Sequence, residues 1–256
     1  MGKLDTRTAI VTGGATGIGR HYCEALAREG ATVAILDVGP GDEAANSINA
    51  DVGRAACLSF PTDVSDEAAV ARAIAHILRM TGRIDILVNN AALYSTLAPA
   101  LFSEIDVALW DKVMAVNLRG PFLMVKHAAP AMIAQKYGKI INISSGTAYK
   151  GMPSMLHYVT SKGGIVAFTR ALSRELGQHS ICVNTLAPGL IETDGTHANS
   201  PRRAAARNRI VASRALQRDG FPADLIGALI FLAATDSDFI TGQTIAVDGG
   251  FLASGM

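Results

Sequence analysis

Charge, cysteine and aromatic residues are all scarce in this chain, and each scarcity closes off a class of function. Of its 256 residues 18% are charged, and 23 Lys and Arg against 22 Asp and Glu leave a net charge of +1. The basic residues are scattered. The densest run, Pro201-Arg202-Arg203 through Arg207 and Arg209, is broken by alanines and has the pattern of a solvated helix face. The basic patch of a nucleic-acid-binding surface is missing, so no nucleic-acid partner is expected. The three cysteines, Cys23, Cys57 and Cys182, are far apart and form no C-x-x-C pair. That argues against a disulfide framework or a zinc site and suits a reducing cytosol. His21, His76, His127, His157, His179 and His197 show no metal-ligand spacing, and no metal is expected. No apolar run approaches the length that spans a bilayer, and the start MGKLDTRTAIVTGG has no apolar signal core. The expectation is a cytoplasmic protein without a membrane partner.

What the chain has in quantity is apolar residues, 49% of the total, enough to fill a large core. They come as short β-branched runs alternating with helical patterns. Strands are predicted over residues 8–13, 31–37, 54–60, 84–92, 139–145, 181–189 and 243–250. Helices are predicted over 17–30, near 42–50, over 66–82, roughly 104–136, 155–177 and 222–234. Apolar strands with helices between them imply an α/β fold, a doubly wound seven-stranded parallel sheet with helices on both faces, forming one domain over residues 1–256. The one irregular region, about 190–220, follows a strand end and is long enough to be a substrate lid.

The first strand runs into Thr12-Gly13-Gly14-Ala15-Thr16-Gly17-Ile18-Gly19, where a helix begins. Gly13 permits a tight turn, Gly17 lets the backbone approach a pyrophosphate, and Gly19 lets the helix pack close to the sheet. A glycine pattern alone is a weak signal. Here a strand precedes it and a helix follows, which makes nucleotide binding the favoured reading. The second strand ends at Asp37, eighteen residues beyond Gly19. A carboxylate there accepts from adenosine ribose hydroxyls and repels a 2′-phosphate. No Arg or Lys stands at 15, 16 or 38 to counter it, so NAD is expected over NADP.

In the stretch HYVTSK, Tyr158 and Lys162 lie four apart on one helical face. The lysine could hold the phenol partly ionised, or the two could be a surface pair with no task. The glycine pattern together with Tyr158-x-x-x-Lys162 resembles the short-chain dehydrogenase/reductase family, and the resemblance covers essentially the whole chain. Asn89-Asn90-Ala91 matches the family's element after strand four, Asn117 its helix asparagine, and Asp63-Val64 its adenine-contacting pair. Ser145 stands thirteen residues before Tyr158, the family spacing. Pro188-Gly189 and Thr193, with Ile191 between them, match the motif after strand six.

The resemblance implies a Rossmann fold and hydride transfer. Removing a hydride from a carbinol needs a base for the hydroxyl proton, and a free phenol, with a pKa of about 10, is too weakly acidic to serve at neutral pH. Lys162 and the positive nicotinamide ring both favour the phenolate, so Tyr158 is expected to accept the proton in oxidation and donate it in reduction. By the same resemblance Lys162 holds the nicotinamide ribose, Ser145 donates to the substrate oxygen, and Asn117 organises a water linking Lys162 to solvent. Asn117 could equally satisfy a helix irregularity. Ser144 is the alternative donor, disfavoured by spacing. His157 points to another helical face, which suits packing or a rim position. His197 falls in the lid, where exposure is the simpler expectation. Met152 and Met155 could line a pocket or fill core.

Many members carry Gly after Asn-Asn-Ala, where this chain has Ala92, which puts substrate size beside the nicotinamide in question. Residues 144–198 resemble NAD-dependent members acting on small cyclic or aromatic alcohols. The expected substrate is a small, mostly apolar secondary alcohol or its ketone. A 3-oxoacyl thioester reductase is the alternative enzyme, and a catalytically silent NAD sensor or scaffold the alternative of another class. A silent protein predicts a damaged tetrad, whereas Asn117, Ser145, Tyr158 and Lys162 are all present. The apolar, small-residue helices at 104–136 and 155–177 suit burial against other subunits, and the family usually forms homotetramers.

Overall fold

The computed structural model describes residues 2–193 and 201–253. Seven strands, β1 (Thr8–Thr12), β2 (Thr32–Asp37), β3 (Cys57–Pro61), β4 (Ile86–Asn89), β5 (Gly138–Ile143), β6 (Ile181–Pro188) and β7 (Thr244–Val247), form one sheet in the order β3-β2-β1-β4-β5-β6-β7. Every pairing is parallel. The helices are α1 (Gly17–Arg28), α2 (Asp42–Val52), α3 (Glu67–Thr81), α4 (Val107–Met114), α5 (Gly120–Gln135), α6 (Thr147–Lys150), α7 (Leu156–Leu176), α8 (Pro201–Ala212) and α9 (Pro222–Ala233).

Alternation along the strands feeds two cores. Val11, Val33, Ile35 and Ile141 pack with Tyr22 and Leu26 of α1, Ile48 of α2 and Leu229 of α9. Ile10, Leu36, Leu87 and Ile140 face the other way, onto Ile74 and Ile77 of α3, Met124 and Ala128 of α5 and Leu176 of α7. With helices on both faces, neither side of a strand meets water, which is why the strands read as nearly unbroken apolar runs. Strand order reverses between β1 and β4, and the crevice at such a switch point is where doubly wound sheets bind ligands.

Of the boundaries that differ from the sequence expectation, three do so for a reason the hydrogen bonds show. The strand expected over 54–60 begins at Cys57, because the Asn49 side chain of α2 takes the Ala56 and Cys57 amides at 2.8 and 2.7 Å. The strand expected over 84–92 stops at Asn89, because the Asn90 and Ala91 amides turn to the Thr12 hydroxyl, both at 3.0 Å. The helix expected over 104–136 starts at Val107, where Asp106 caps the Ala108 amide, and is interrupted by a π-turn over Ala115–Arg119.

The segment between β6 and α9 carries α8 and is closed at its base. Ile191 pairs with Gly220 in a parallel bridge, and the Glu192 amide donates to the Gly220 carbonyl at 2.8 Å. Buried Arg214 reaches the Leu190 carbonyl at 2.6 Å and the Arg218 carbonyl at 2.8 Å. Arg207 pairs with both Glu192 and Asp219. His197 lies outside the described residues. Among the described residues no helix is long and apolar enough to cross a membrane.

Candidate active site

A parallel sheet delivers the ends of all its strands to one rim, and the residues singled out in the sequence follow those ends. Gly13 follows β1 with a φ of +64°, which suits glycine. A Cβ at Gly19 would stand 2.0 Å from the Gly13 carbonyl oxygen, so α1 reaches the turn only because that side chain is absent. At Gly17 a Cβ would meet nothing within 4 Å, so the backbone there faces an open cradle at the start of α1. Thr16, at the N-cap, makes no side-chain cap bond, and Ile18 is half-buried in the core under the turn. The first-turn amides of α1 therefore point into the cradle, an arrangement that suits a pyrophosphate. Gly14, which sequence reasoning passed over, is also tight: a Cβ there would lie 2.8 Å from the Cys23 sulfur.

Asp37 closes the adjoining strand. Its two oxygens accept the Ala15 and Gly39 amides, each at 3.1 Å, and keep lone pairs for further donors. Asn90 spends its side-chain amide on the Thr12 and Gly13 carbonyls at 2.9 and 3.0 Å, so it braces the glycine turn, while Ala91 is held by Thr12. Asp63 turns its carboxylate to the Ser65 amide and hydroxyl. Val64 is buried against Gly120. Beyond β6, Gly189 packs on Asp248, Ile191 is buried in the neck described above, and Thr193 is half-buried.

Ser145, Tyr158 and Lys162 come together beside this turn. Ser145 hydrogen bonds to the Tyr158 phenol and accepts from the Thr147 hydroxyl at 3.0 Å. Ser144 is committed elsewhere, donating to the Lys162 carbonyl at 2.7 Å. The Lys162 ammonium donates to the Ile143 carbonyl at 2.8 Å and sits 5.8 Å from the centre of the Tyr158 ring. The sequence argument expected Lys162 to ease ionisation of the phenol. Burial acts in the other direction: it pushes the Tyr158 phenol well above its ordinary value, Tyr94 pushes it further, and only Ser145 opposes. Burial also lowers Lys162 from 10.5 to about 8.

That lowered value has a consequence for stability. A lysine that titrates lower in the folded chain than in the unfolded one binds protons better when unfolded, so its charge opposes folding. The cost, about 3 kcal/mol, is fully present below pH 8 and fades as pH rises toward 10.5. Lys162→Met removes the charge but leaves the Ile143 carbonyl without its donor, a loss of about 1 kcal/mol. The variant is expected to melt several degrees higher than the parent at pH 7, with the gain shrinking by pH 10. Thermal melts at both pH values check this, and a lower melting point at pH 7 would contradict it.

Asn117 lies inside the π-turn, and its side chain is fully engaged. It accepts from the Leu93 amide at 2.7 Å and donates to the Leu93 carbonyl at 3.2 Å and the Ser161 hydroxyl at 3.1 Å. It thus fastens the loop after β4 to α7. That loop brings Tyr94, unnoticed in the sequence, to within 4.8 Å of Tyr158, ring centre to ring centre. His157 is fully buried and accepts the Tyr158 amide at 2.9 Å, an interior position and not a rim. Met152 and Met155 both pack on Tyr158, and Ala92 is exposed. Among the described residues no cluster of His, Cys, Asp and Glu could hold a metal ion.

The family model described as Enoyl-(Acyl carrier protein) reductase matches residues 13–252. Sorbitol dehydrogenase of Cereibacter sphaeroides is 41% identical over 97% of this chain and 98% of its own length. The 3-oxoacyl-[acyl-carrier-protein] reductase FabG of Thermotoga maritima is 34% identical over 98% of this chain and 99% of its own. Among solved structures, levodione reductase superposes with a TM-score of 0.93 at 27% identity, covering 98% of this chain and 100% of that one.

Proposed function

The chain belongs to the short-chain dehydrogenase/reductase family, and on that premise we propose that it is an NAD-dependent oxidoreductase interconverting a small, mostly apolar secondary alcohol and its ketone. The observation that carries this reading is the meeting of Ser145, Tyr158 and Lys162 beside the open glycine cradle.

The family uses nicotinamide cofactors, and Asp37 favours the form without a 2′-phosphate. The turn from Gly13 to Gly19 would hold the pyrophosphate, Asp37 the adenosine ribose, and Asp63 and Val64 the adenine. Ala91, Pro188, Gly189, Ile191 and Thr193 would flank the nicotinamide, with Asn90 bracing the turn from behind. When bound, NAD supplies the hydride acceptor for oxidation, and its reduced form the donor for reduction. Lys162 would hold the ribose hydroxyls and lend its charge to the phenolate. Ser145 would fix the substrate oxygen next to Tyr158, whose phenolate would take the hydroxyl proton in oxidation and whose phenol would return it in reduction. Asn117 keeps the loop and α7 in register and would organise a water linking Lys162 to solvent. The segment 190–220 acts as the lid. The protein is cytoplasmic.

Assembly as a homotetramer is part of the same reading. It is supported by the groove lined by Met114, Leu118, Phe122 and Phe168, with Phe122 half exposed. Light scattering should return four times the 26.7 kDa of one chain, and a monomer would refute it.

The deciding experiment follows absorbance of reduced nicotinamide, with NAD and NADP supplied separately against a panel of secondary alcohols. Turnover with NAD is expected to exceed that with NADP by about a hundredfold in kcat/KM, the effect of a like charge facing the 2′-phosphate. Equal use of the two would overturn the role given to Asp37. Similarity to FabG favours 3-oxoacyl thioester reduction as the second reading, which predicts reduction of acyl thioesters with NADPH. Silence across both substrate panels with NAD binding intact would favour a sensor.

A further inference from the structure

We infer that Tyr94 selects the substrate: its ring is a fixed aromatic wall over Tyr158 that favours a secondary alcohol bearing a flat apolar substituent, aryl or cycloalkyl, over an open-chain polyol. The inference rests on the oxidoreductase reading above and names the substrate class of the same site.

The two tyrosine rings lie 4.8 Å apart, centre to centre, and are tilted by 40°. Tyr94 is 36% exposed and Tyr158 only 8%, so the outer ring covers the inner one and itself faces the approach. Three anchors fix it in place. Asn117 grips both backbone groups of the preceding residue, Leu93. The Leu97 amide turns back to the Tyr94 carbonyl at 3.0 Å, and the Leu97 side chain is buried with Val113, Met155 and Tyr158. The Ala100 amide then ties the loop to the Ser154 carbonyl at 2.9 Å, just ahead of α7. A wall held in this way requires little ordering when a ligand arrives.

The rest of the cluster around Tyr158 is apolar: Leu93, Leu109, Met152 and Val159 pack against it. Ser145 and Tyr158 can serve one substrate oxygen. A polyol would bring further hydroxyls against leucine, valine and thioether groups that return no hydrogen bonds, and each unpaired hydroxyl is penalised. A flat apolar ring gives up no hydrogen bonds there and gains an aromatic face and a methionine sulfur. The similar sorbitol dehydrogenase makes the polyol the competitor to test.

The test compares the full-length protein with Tyr94→Ala and Tyr94→Phe, using 1-phenylethanol and D-sorbitol with NAD. Acetophenone binding to the NAD complex, a pair that cannot react, is measured alongside by titration calorimetry. The parent should prefer 1-phenylethanol. Tyr94→Ala should lower the ratio of kcat/KM for 1-phenylethanol over sorbitol by at least about tenfold and weaken acetophenone to a similar degree. Tyr94→Phe, which keeps the ring, should restore both. An unchanged ratio in Tyr94→Ala, or a parent that binds no acetophenone, overturns the inference. Sorbitol turnover without acetophenone binding would remove the role of Tyr94 and keep the oxidoreductase. Acetophenone binding that Tyr94→Ala weakens, in a protein that oxidises no alcohol, would keep the wall and overturn the oxidoreductase reading.

Discussion

Tyr158→Phe should lower kcat/KM for alcohol oxidation by about three orders of magnitude while leaving the fold and NADH binding in place. The ring of Tyr158 is packed among Leu97, Val113 and Met155 and under Tyr94, and phenylalanine fills that space. Only the hydroxyl is lost, together with its bond to Ser145. A positioned acid or base commonly contributes a factor of about 10² to 10⁴, and neither Ser144 nor His157 stands in for it: Ser144 is bound to the Lys162 carbonyl and His157 to the Tyr158 amide. The pH profile gives a second signature. Burial holds the phenol above its ordinary value, so oxidation in the parent should rise with pH while reduction stays flat up to about pH 10, and the Phe variant should lose the rise. Steady-state rates with a parallel NADH titration settle the matter. A variant within tenfold of the parent would remove Tyr158 from the mechanism.

Gly19→Ala is expected to raise the dissociation constant for NAD by at least about a hundredfold and to lower the melting temperature. The added methyl would meet the Gly13 carbonyl oxygen at 2.0 Å and the Asn90 side-chain nitrogen at 2.6 Å. Gly13 is held by the Leu36 carbonyl at 2.7 Å on one side and by Asn90 on the other, so the strain is relieved by moving α1 off the turn. Overpacking of this kind costs about 1–3 kcal/mol, and the displaced helix no longer presents its first amides to the cofactor. Gly17→Ala is the informative contrast. It meets no atom within 4 Å, though its φ of +55° disfavours a side chain. The strain of that φ, about 1–2 kcal/mol, should lower its melting point by a few degrees, and it should bind NAD poorly because the methyl projects into the cradle. Thermal melts without cofactor and NADH titrations separate the two, and parent-like binding by both variants would mean that the pyrophosphate lies elsewhere.

The sequence disclosed what is encoded locally. Seven apolar runs became seven strands, because a strand buried on both faces needs no long-range information to be recognised. The glycine turn and the Tyr-Lys pair were legible through fixed spacing. What escaped is tertiary. Asn117 and Leu93 are 24 residues apart, and nothing near either one announces the clamp. Tyr94 looked like an ordinary loop residue until the clamp brought it onto Tyr158. Asn90 was legible as part of a family element, but not that its side-chain donors brace the glycine turn. The burial of the Tyr158 phenol was not legible, because neighbouring charges can be counted from spacing, whereas desolvation depends on the whole enclosure. The π-turn depends on local crowding that helical periodicity does not register.

The neck formed by Ile191, Gly220 and Arg214 bears on how such a protein can diverge. The chain leaves the sheet at one paired residue and returns at the other, and the buried guanidinium fastens both ends to carbonyls. The cost of closing a loop grows only with the logarithm of its length, about 0.6 kcal/mol for each doubling. Apart from Arg207, Arg214 and Leu216, which tie it down, the stretch between the two ends can therefore be lengthened, shortened or rewritten with little effect on the strands beneath. The excursion behaves as an exchangeable cassette: mutation can explore new specificities there while the hydride-transfer machinery on the rim is inherited unchanged.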